Sequence, residues 1–382
     1  MSNSMMHFPQ RVLGARSRMA QPELNSDGQE TAPAVPAFVI SNLDNVRYLT
    51  GFSGSNGLVV LTETEAVFFT DGRYELQASR EVPGFTRVIL PQGTALSAAA
   101  GKWLVENGIA RAGFEGGHLT YNGYRTLELA VEGKVALTGR SGVVESVREV
   151  KEPGEIEKIK AAVALADACF DHLCEFIRPG RTEKEIAWEI EVFCRTRGAT
   201  RLGFDCIIGS GENGAFIHGR AGERVLGSSG GPEFVLCDYG CELDGYHSDI
   251  TRTFAIGGEP TERMREIYAT VQKAQQAGLD AIKPGVAGRD VDAVVRGIIR
   301  DAGFGEMGHG TGHGLGRLVH DVPLPTFSPL ATVVLRPGIV ATVEPGIYLE
   351  GLGGVRIEDD VVVTESGCEV LTRSTKELLV LG

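Results

Sequence analysis

The sequence predicts a mixed α/β chain in two domains: a small domain of alternating strands and helices, then a larger one with an internal two-fold pattern. Three observations carry this reading. The chain has 382 residues, more than one hydrophobic core usually serves. Between Ala37 and about Gly142, short apolar runs alternate with stretches of helical periodicity. Beyond that, the order helix, Arg/Lys-Pro-Gly, helix, strands occurs twice, around Arg178-Pro179-Gly180 and Lys283-Pro284-Gly285. That weak internal repeat hints at pseudo-two-fold symmetry.

Residues 1–36 contain Arg11, Arg16 and Arg18 but no apolar h-region. They are expected to form a flexible leader rather than a secretory signal. Residues 37–40, 57–61 and 66–70 are predicted strands, separated by Asn- and Gly-rich loops. Helices are predicted at 74–81 and 96–106, with a strand at 88–90 between them, which makes 37–143 a small α/β domain. The charged stretch 144–155 carries Pro153 and is taken as the domain boundary, so the second domain is 144–382. Pro153 suits a first helical turn, and Ile156, Ile159, Val163, Ala166, Phe170 and Leu173 then recur at helical spacing to about residue 177. Thr182 and Glu185 form a capping-box pattern that opens a helix to about Arg197. A strand is predicted at 204–210, helices at 261–282 and 288–301, and a strand-rich end at 338–364.

Composition narrows the function. The chain is 42% hydrophobic and 23% charged with a net charge of -13, an ordinary balance for a globular protein and a poor one for neutralising phosphates. Nucleic acid and acidic membrane surfaces are therefore not expected partners. No apolar run approaches the roughly 20 residues that span a bilayer. The seven cysteines are odd in number, lack a C-x-x-C pair and mostly sit in apolar runs, so they are expected to be reduced thiols in a cytoplasmic protein.

The stretch VLCDYGCELDGYHSDITRTF, 235–254, carries two aspartates on two apolar-flanked runs joined by Asp244-Gly245, a strong hairpin signal. With those two as the turn, Asp238 falls opposite Thr251, and Asp249 lies two residues along on the same face. Two carboxylates that close repel one another unless a cation lies between them. Glu344 and Glu358 flank a Gly-rich turn at 351–354 symmetrically and can face each other in the same way. Four carboxylates balance two divalent cations, the requirement of a dinuclear site, and oxygen donors favour Mn²⁺, Co²⁺ or Zn²⁺. The run MGHGTGHGLGRLVHDVP adds His309, His313 and His320, with glycines that let backbone approach a site closely. His218, in FIHGR, is a further candidate.

DYGCELDGYHSDITRTF, GHGTGHGLGRLVHD, VEPGIY and GGVRIEDDV together resemble the metallopeptidases of the pita-bread fold, in the Xaa-Pro branch of prolidase (Xaa-Pro dipeptidase) and aminopeptidase P. NVRYLTGFSGSNG and TDGRY resemble that family's creatinase-like N-terminal domain. The resemblance implies Asp238, Asp249, His313, Glu344 and Glu358 as ligands of two divalent ions, most expectedly Mn²⁺. Asp249 and Glu358 would bridge both ions, Asp238 would complete one, and His313 with Glu344 the other. Glu344 would also handle the proton of the attacking water. It further implies His218, His309 and His320 on the substrate side, Arg356 holding the site's acids in position, a short proline-containing peptide as substrate, and a homodimer. A methionine aminopeptidase, a creatinase-like enzyme and a non-catalytic member of the fold are the alternatives; the five intact ligands and the long N-terminal region count against them.

Overall fold

The structure, a computed structural model, describes residues 8–25 and 28–382. The chain divides into two compact units, 1–148 and 149–382, so the boundary falls five residues beyond the expected one.

The first unit is organised on a six-stranded mixed sheet. Its order is Thr86–Leu90, Ala66–Asp71, Leu58–Thr62, Ala37–Ile40, Arg111–Glu115, Ala136–Arg140. The central strands Ala37–Ile40, Leu58–Thr62 and Ala66–Asp71 read as largely apolar runs because both faces are covered. Alternation sorts them: Phe38, Ile40, Val59, Leu61 and Phe68 pack on one face, and Ala37, Val39, Leu58, Val60, Val67 and Phe69 on the other. The first face is covered by helices α1 (Phe8–Met19), α2 (Leu43–Thr50) and α3 (Glu75–Glu81), the second by α4 (Leu96–Glu106) and α5 (Tyr121–Ala130). A short helix, α6 (Glu145–Arg148), closes the unit.

The expectation of a flexible leader over 1–36 is corrected here. Helix α1 buries Val12, Ala15 and Met19 in the core, and Glu23–Leu24 pairs with Glu30–Ala32; residues 1–7 and 26–27 of that leader lie outside the described residues. Charge hides this helix in the sequence. Arg11 is buried, lies 4.1 Å from the Tyr48 ring centroid and donates to the Tyr48 carbonyl at 2.9 Å, so a residue that reads as solvated acts as a core cation. Arg140 finishes α1 by donating to the Met19 carbonyl at 2.7 Å. Helix α2 sits where only loop is expected; the Asn42 side chain caps it and Gly51, at φ 82°, ends it.

In the second unit, α7 (Pro153–Phe176) and α8 (Glu183–Thr196) precede one hairpin system, and α9 (Glu262–Ala281) and α10 (Gly288–Asp301) precede another. Both Pro-Gly breaks place glycine in the left-handed region, Gly180 at φ 92° and Gly285 at φ 85°. The expected caps of α7 and α8 form, with Pro153 in the first turn and reciprocal Thr182–Glu185 bonds. Helices α7 and α8 bury Phe170, Leu173, Ile186 and Ile190 against the strands Ile207–Ser210 and Glu233–Tyr239. Helices α9 and α10 contribute Val271, Leu279, Val291 and Val295 to two clusters beneath the strands of 340–363. The strand expected at 204–210 is confined to Ile207–Ser210.

The first hairpin has the expected register. Asp238 pairs with Thr251, Leu243 pairs with Tyr246, and the turn residues Asp244 and Gly245 have φ of 51° and 79°, the type I′ geometry that Asp-Gly favours. The second hairpin keeps one register through two segments, Val343 opposite Asp359 and Gly346 opposite Arg356. Glu344 and Glu358 fall at the break between those segments. All seven cysteines are free thiols, and no helix among the described residues is long and apolar enough to cross a membrane.

Candidate metal centre

The two hairpins are laced together by the residues around the acids. The Glu358 backbone N–H donates to the Thr251 carbonyl at 3.1 Å. The Arg356 N–H and the Thr253 hydroxyl exchange bonds, with Thr253 Oγ1 donating to the Arg356 carbonyl at 3.0 Å. The buried Arg252 guanidinium spans the Glu358 carbonyl at 2.5 Å and Asp359 Oδ1 at 2.7 Å. The third component, the Gly-rich run 308–316, lies directly on backbone. A Cβ at Gly312 would overlap the Thr342 carbonyl, and one at Gly314 the Asp321 carbonyl. His313 is thereby set against the strand Val340–Val343; its N–H donates to Thr342 Oγ1 at 3.1 Å and its carbonyl accepts from Thr342 N–H at 2.9 Å.

These elements bring every residue singled out in the sequence to one cavity of about 860 Å³. Asp238, Asp249, His313, Glu344 and Glu358 line it, with His218, His309, His320 and Arg356. Donor atoms of Asp249, His313 and Glu358 all lie within 4.8 Å of one another.

His313 Nδ1 faces the Gly314 carbonyl at 3.1 Å, and a carbonyl only accepts, so Nδ1 carries the proton. Burial holds the His313 pKa below its ordinary value, so the ring is neutral and Nε2 is a bare lone pair. That lone pair points at Asp249 Oδ2, 3.5 Å away, and Glu344 Oε1, 3.4 Å away, which are acceptors when ionised. Asp238 Oδ1 and Asp249 Oδ1 are buried without a hydrogen-bond partner among the described residues. Burial and mutual repulsion raise the pKa of Asp249 and Glu358 well above the carboxylate range, and burial raises that of Glu344. Acceptors aimed at acceptors in a buried site are costly unless a cation lies between them. Oxygen and imidazole donors in this ratio fit divalent ions of the Mn²⁺, Co²⁺ and Zn²⁺ group.

Several residues that orient these groups escaped the sequence reading. Thr251 Oγ1 donates to Glu358 Oε2 at 2.6 Å and accepts from Arg356 Nε at 3.1 Å. Asp360 Oδ2 accepts from the Asp249 N–H at 2.9 Å. Tyr348 donates to His309 Nε2 at 2.8 Å and accepts from Arg356 Nη1 at 2.7 Å. Register alone places Thr251 opposite Asp238, but nothing in the sequence marks the role of its hydroxyl. Both nitrogens of His309 are thus engaged, Nδ1 with the Gly310 carbonyl at 2.7 Å. His218 and His320 keep access to solvent; burial, with His313 and His218 nearby, pushes His320 down to about 4.

Arg356 reaches Asp238 Oδ2 through Nη2, as well as Tyr348 and Thr251. A lysine keeps the charge but not the fork. Arg356→Lys is expected to raise the metal concentration for half-maximal activity by about 10–100-fold, the usual cost of losing a ligand's orienting partner. An unchanged metal dependence contradicts this role.

Four acids on two laced hairpins, with a neutral imidazole facing them, line one cavity, and the chain has the pita-bread fold of a metallopeptidase family. The chain belongs to metallopeptidase family M24: that family's model matches residues 157–365, and a Creatinase/Prolidase N-terminal domain model matches residues 31–150. It is similar to an uncharacterized peptidase of Bacillus subtilis, 41% identical over 91% of this chain and 96% of the relative. Among solved structures it resembles an Xaa-Pro dipeptidase from Bacillus anthracis, with a TM-score of 0.90 and 39% identity over 98% of this chain and all (100%) of the other. It also resembles an X-Pro aminopeptidase from Thermotoga maritima, with a TM-score of 0.82 and 36% identity over 91% and 98% of the two chains.

Proposed function

We propose that this metallopeptidase hydrolyses the Xaa-Pro bond of short peptides with two divalent ions bound. The observation that carries the proposal is the acceptor-only cluster of Asp249, His313 and Glu358, flanked by Asp238 and Glu344 in a cavity that also holds three further histidines. Asp238, Asp249, His313, Glu344 and Glu358 would hold the ions. When bound, the ions lower the pKa of a coordinated water toward neutrality and polarise the scissile carbonyl. Glu344, kept basic by its burial, takes a proton and returns it to the leaving nitrogen. His218 and His320 donate to the peptide carbonyl as negative charge develops there. His309, held between Gly310 and Tyr348, fixes the Tyr348–Arg356 link to Asp238. Proline offers no N–H for recognition, so ring shape and the peptide's ends must be read instead. Mn²⁺ as the working ion and a homodimer belong to the same reading and rest on the motif resemblance; a cytoplasmic location rests on the unpaired cysteines.

The test is metal-stripped protein given Mn²⁺ with Ala-Pro and Ala-Pro-Ala side by side. Cleavage at the proline of either peptide, abolished by chelator, is the expected result. Cleavage of neither, with metal bound, overturns the proposal.

A further inference from the structure

We propose that Asp292 and Arg296, an ion pair on α10, are positioning residues of the metal centre. They clamp the glycine-rich run that carries His309 and His313 and, through Thr311, the backbone of Glu344; this rests on the metal-site reading above. Neither residue lines the cavity, so neither touches an ion or a substrate. They stand four residues apart on the helix and pair at 2.7 Å, the spacing that sets two side chains on one face. Both then reach the run. Asp292 Oδ1 accepts from the Thr311 N–H at 3.1 Å and from Thr311 Oγ1 at 2.8 Å. Arg296 Nη1 donates to the Met307 carbonyl at 2.6 Å, and Nη2 donates to the His309 carbonyl. Alternate residues 307, 309 and 311 are thus held from one turn of α10.

Direction, more than cohesion, is what the pair supplies. The run 308–316 has five glycines in nine residues. Glycine has the widest backbone freedom, and here it serves close approach, since a Cβ at Gly312 would overlap the Thr342 carbonyl. Such a run has few side chains to pack, so its path must be fixed by groups outside it. Asp292 is buried, and the Arg296 side chain is only 15% exposed. A buried ion pair adds little stability over apolar residues of the same volume, because desolvation offsets the attraction. A carboxylate and a guanidinium fork do, however, accept only a few geometries. That geometry is passed to the centre. The Thr311 carbonyl accepts from the Glu344 N–H at 2.8 Å, and His309 meets Tyr348, which meets Arg356. His313 follows Thr311 by two residues. Loss of the clamp frees the run on its α10 side and leaves His313 to its bonds with Thr342.

The test is calorimetric titration of Mn²⁺ into metal-stripped protein, with melting of the metal-free protein and the kcat and KM of Ala-Pro hydrolysis beside it. Asp292→Ala is expected to raise the Mn²⁺ dissociation constant about 10–100-fold, the usual cost of losing a ligand's orienting partner, and to lower kcat with KM little changed. Arg296→Lys keeps the ion pair but not the fork, and falls between wild type and Asp292→Ala. Thr311→Val removes one hydroxyl and leaves the N–H bond, so its rise in the dissociation constant is smaller. That rise disappears when Asp292→Ala is already present, because the two act through one contact. Should Asp292→Ala not fold, Thr311→Val and Arg296→Lys give the same comparison. Variants that melt lower but bind Mn²⁺ and turn over as wild type does mark a merely structural pair. That result, or effects of Asp292→Ala and Thr311→Val that simply add, overturns the inference and leaves the metal-site reading standing. Wild type that binds no Mn²⁺ overturns both.

Discussion

Asp249→Asn is expected to abolish activity and high-affinity metal binding together while leaving the fold intact. The substitution keeps shape, and the Asp249 N–H still donates to Asp360. What it removes is one of four clustered negative charges. In the metal-free protein these charges oppose each other, and their raised pKa values record that cost. The metal-free variant should therefore melt at the same temperature as metal-free wild type or higher. Wild type gains stability when Mn²⁺ is added, because a ligand that binds only the folded state stabilises it; the variant loses most of that gain. Activity is expected to fall by more than about a hundredfold, since losing even an orienting partner of a ligand can cost that much. Retained activity with metal still bound contradicts the assignment of Asp249 as a ligand.

Gly312→Ala is the second large effect. Its added Cβ would overlap the Thr342 carbonyl. Backbone cannot yield as a side-chain end can, so the run carrying His313 must move off the strand Val340–Val343. That strains the bonds between His313 and Thr342 and misplaces the imidazole. Overpacking of this kind costs about 1–3 kcal/mol. In a unit of this size it lowers the melting temperature by about 2–4 °C per kcal/mol. Metal affinity should fall with it, read by titrating Mn²⁺ against activity. An alanine variant with wild-type melting and metal dependence would mean that the glycine contact does not set the histidine.

The parts of this molecule legible in the sequence are those fixed by short-range geometry. Asp244-Gly245 dictates its turn, the turn dictates the register, and the register places Asp238 opposite Thr251. The spacing of Glu344 and Glu358 about Gly351 works in the same way. What stayed hidden depends on contacts distant in the chain. Arg11 reads as a surface charge until Tyr48, 37 residues away, supplies a ring and a carbonyl. Helix α2 reads as loop because its apolar side, Val46 and Leu49, has meaning only against the sheet. Tyr348 and Asp360 look like ordinary strand residues, and the roles of their oxygens follow from neighbours brought in by folding. The types of the proposed ligands are legible because few residue types bind metal; the groups that orient them are not, because threonine, tyrosine and aspartate serve many ends.

The central claim is that Asp238, Asp249, His313, Glu344 and Glu358 hold two divalent ions that carry out Xaa-Pro hydrolysis. Its most direct test is calorimetric titration of Mn²⁺ into metal-stripped protein, with Ala-Pro hydrolysis followed at each addition. The account predicts saturation at two ions per chain and hydrolysis that is absent without metal and rises as the sites fill. Undiminished hydrolysis in the stripped protein, or no Mn²⁺ binding, would contradict it.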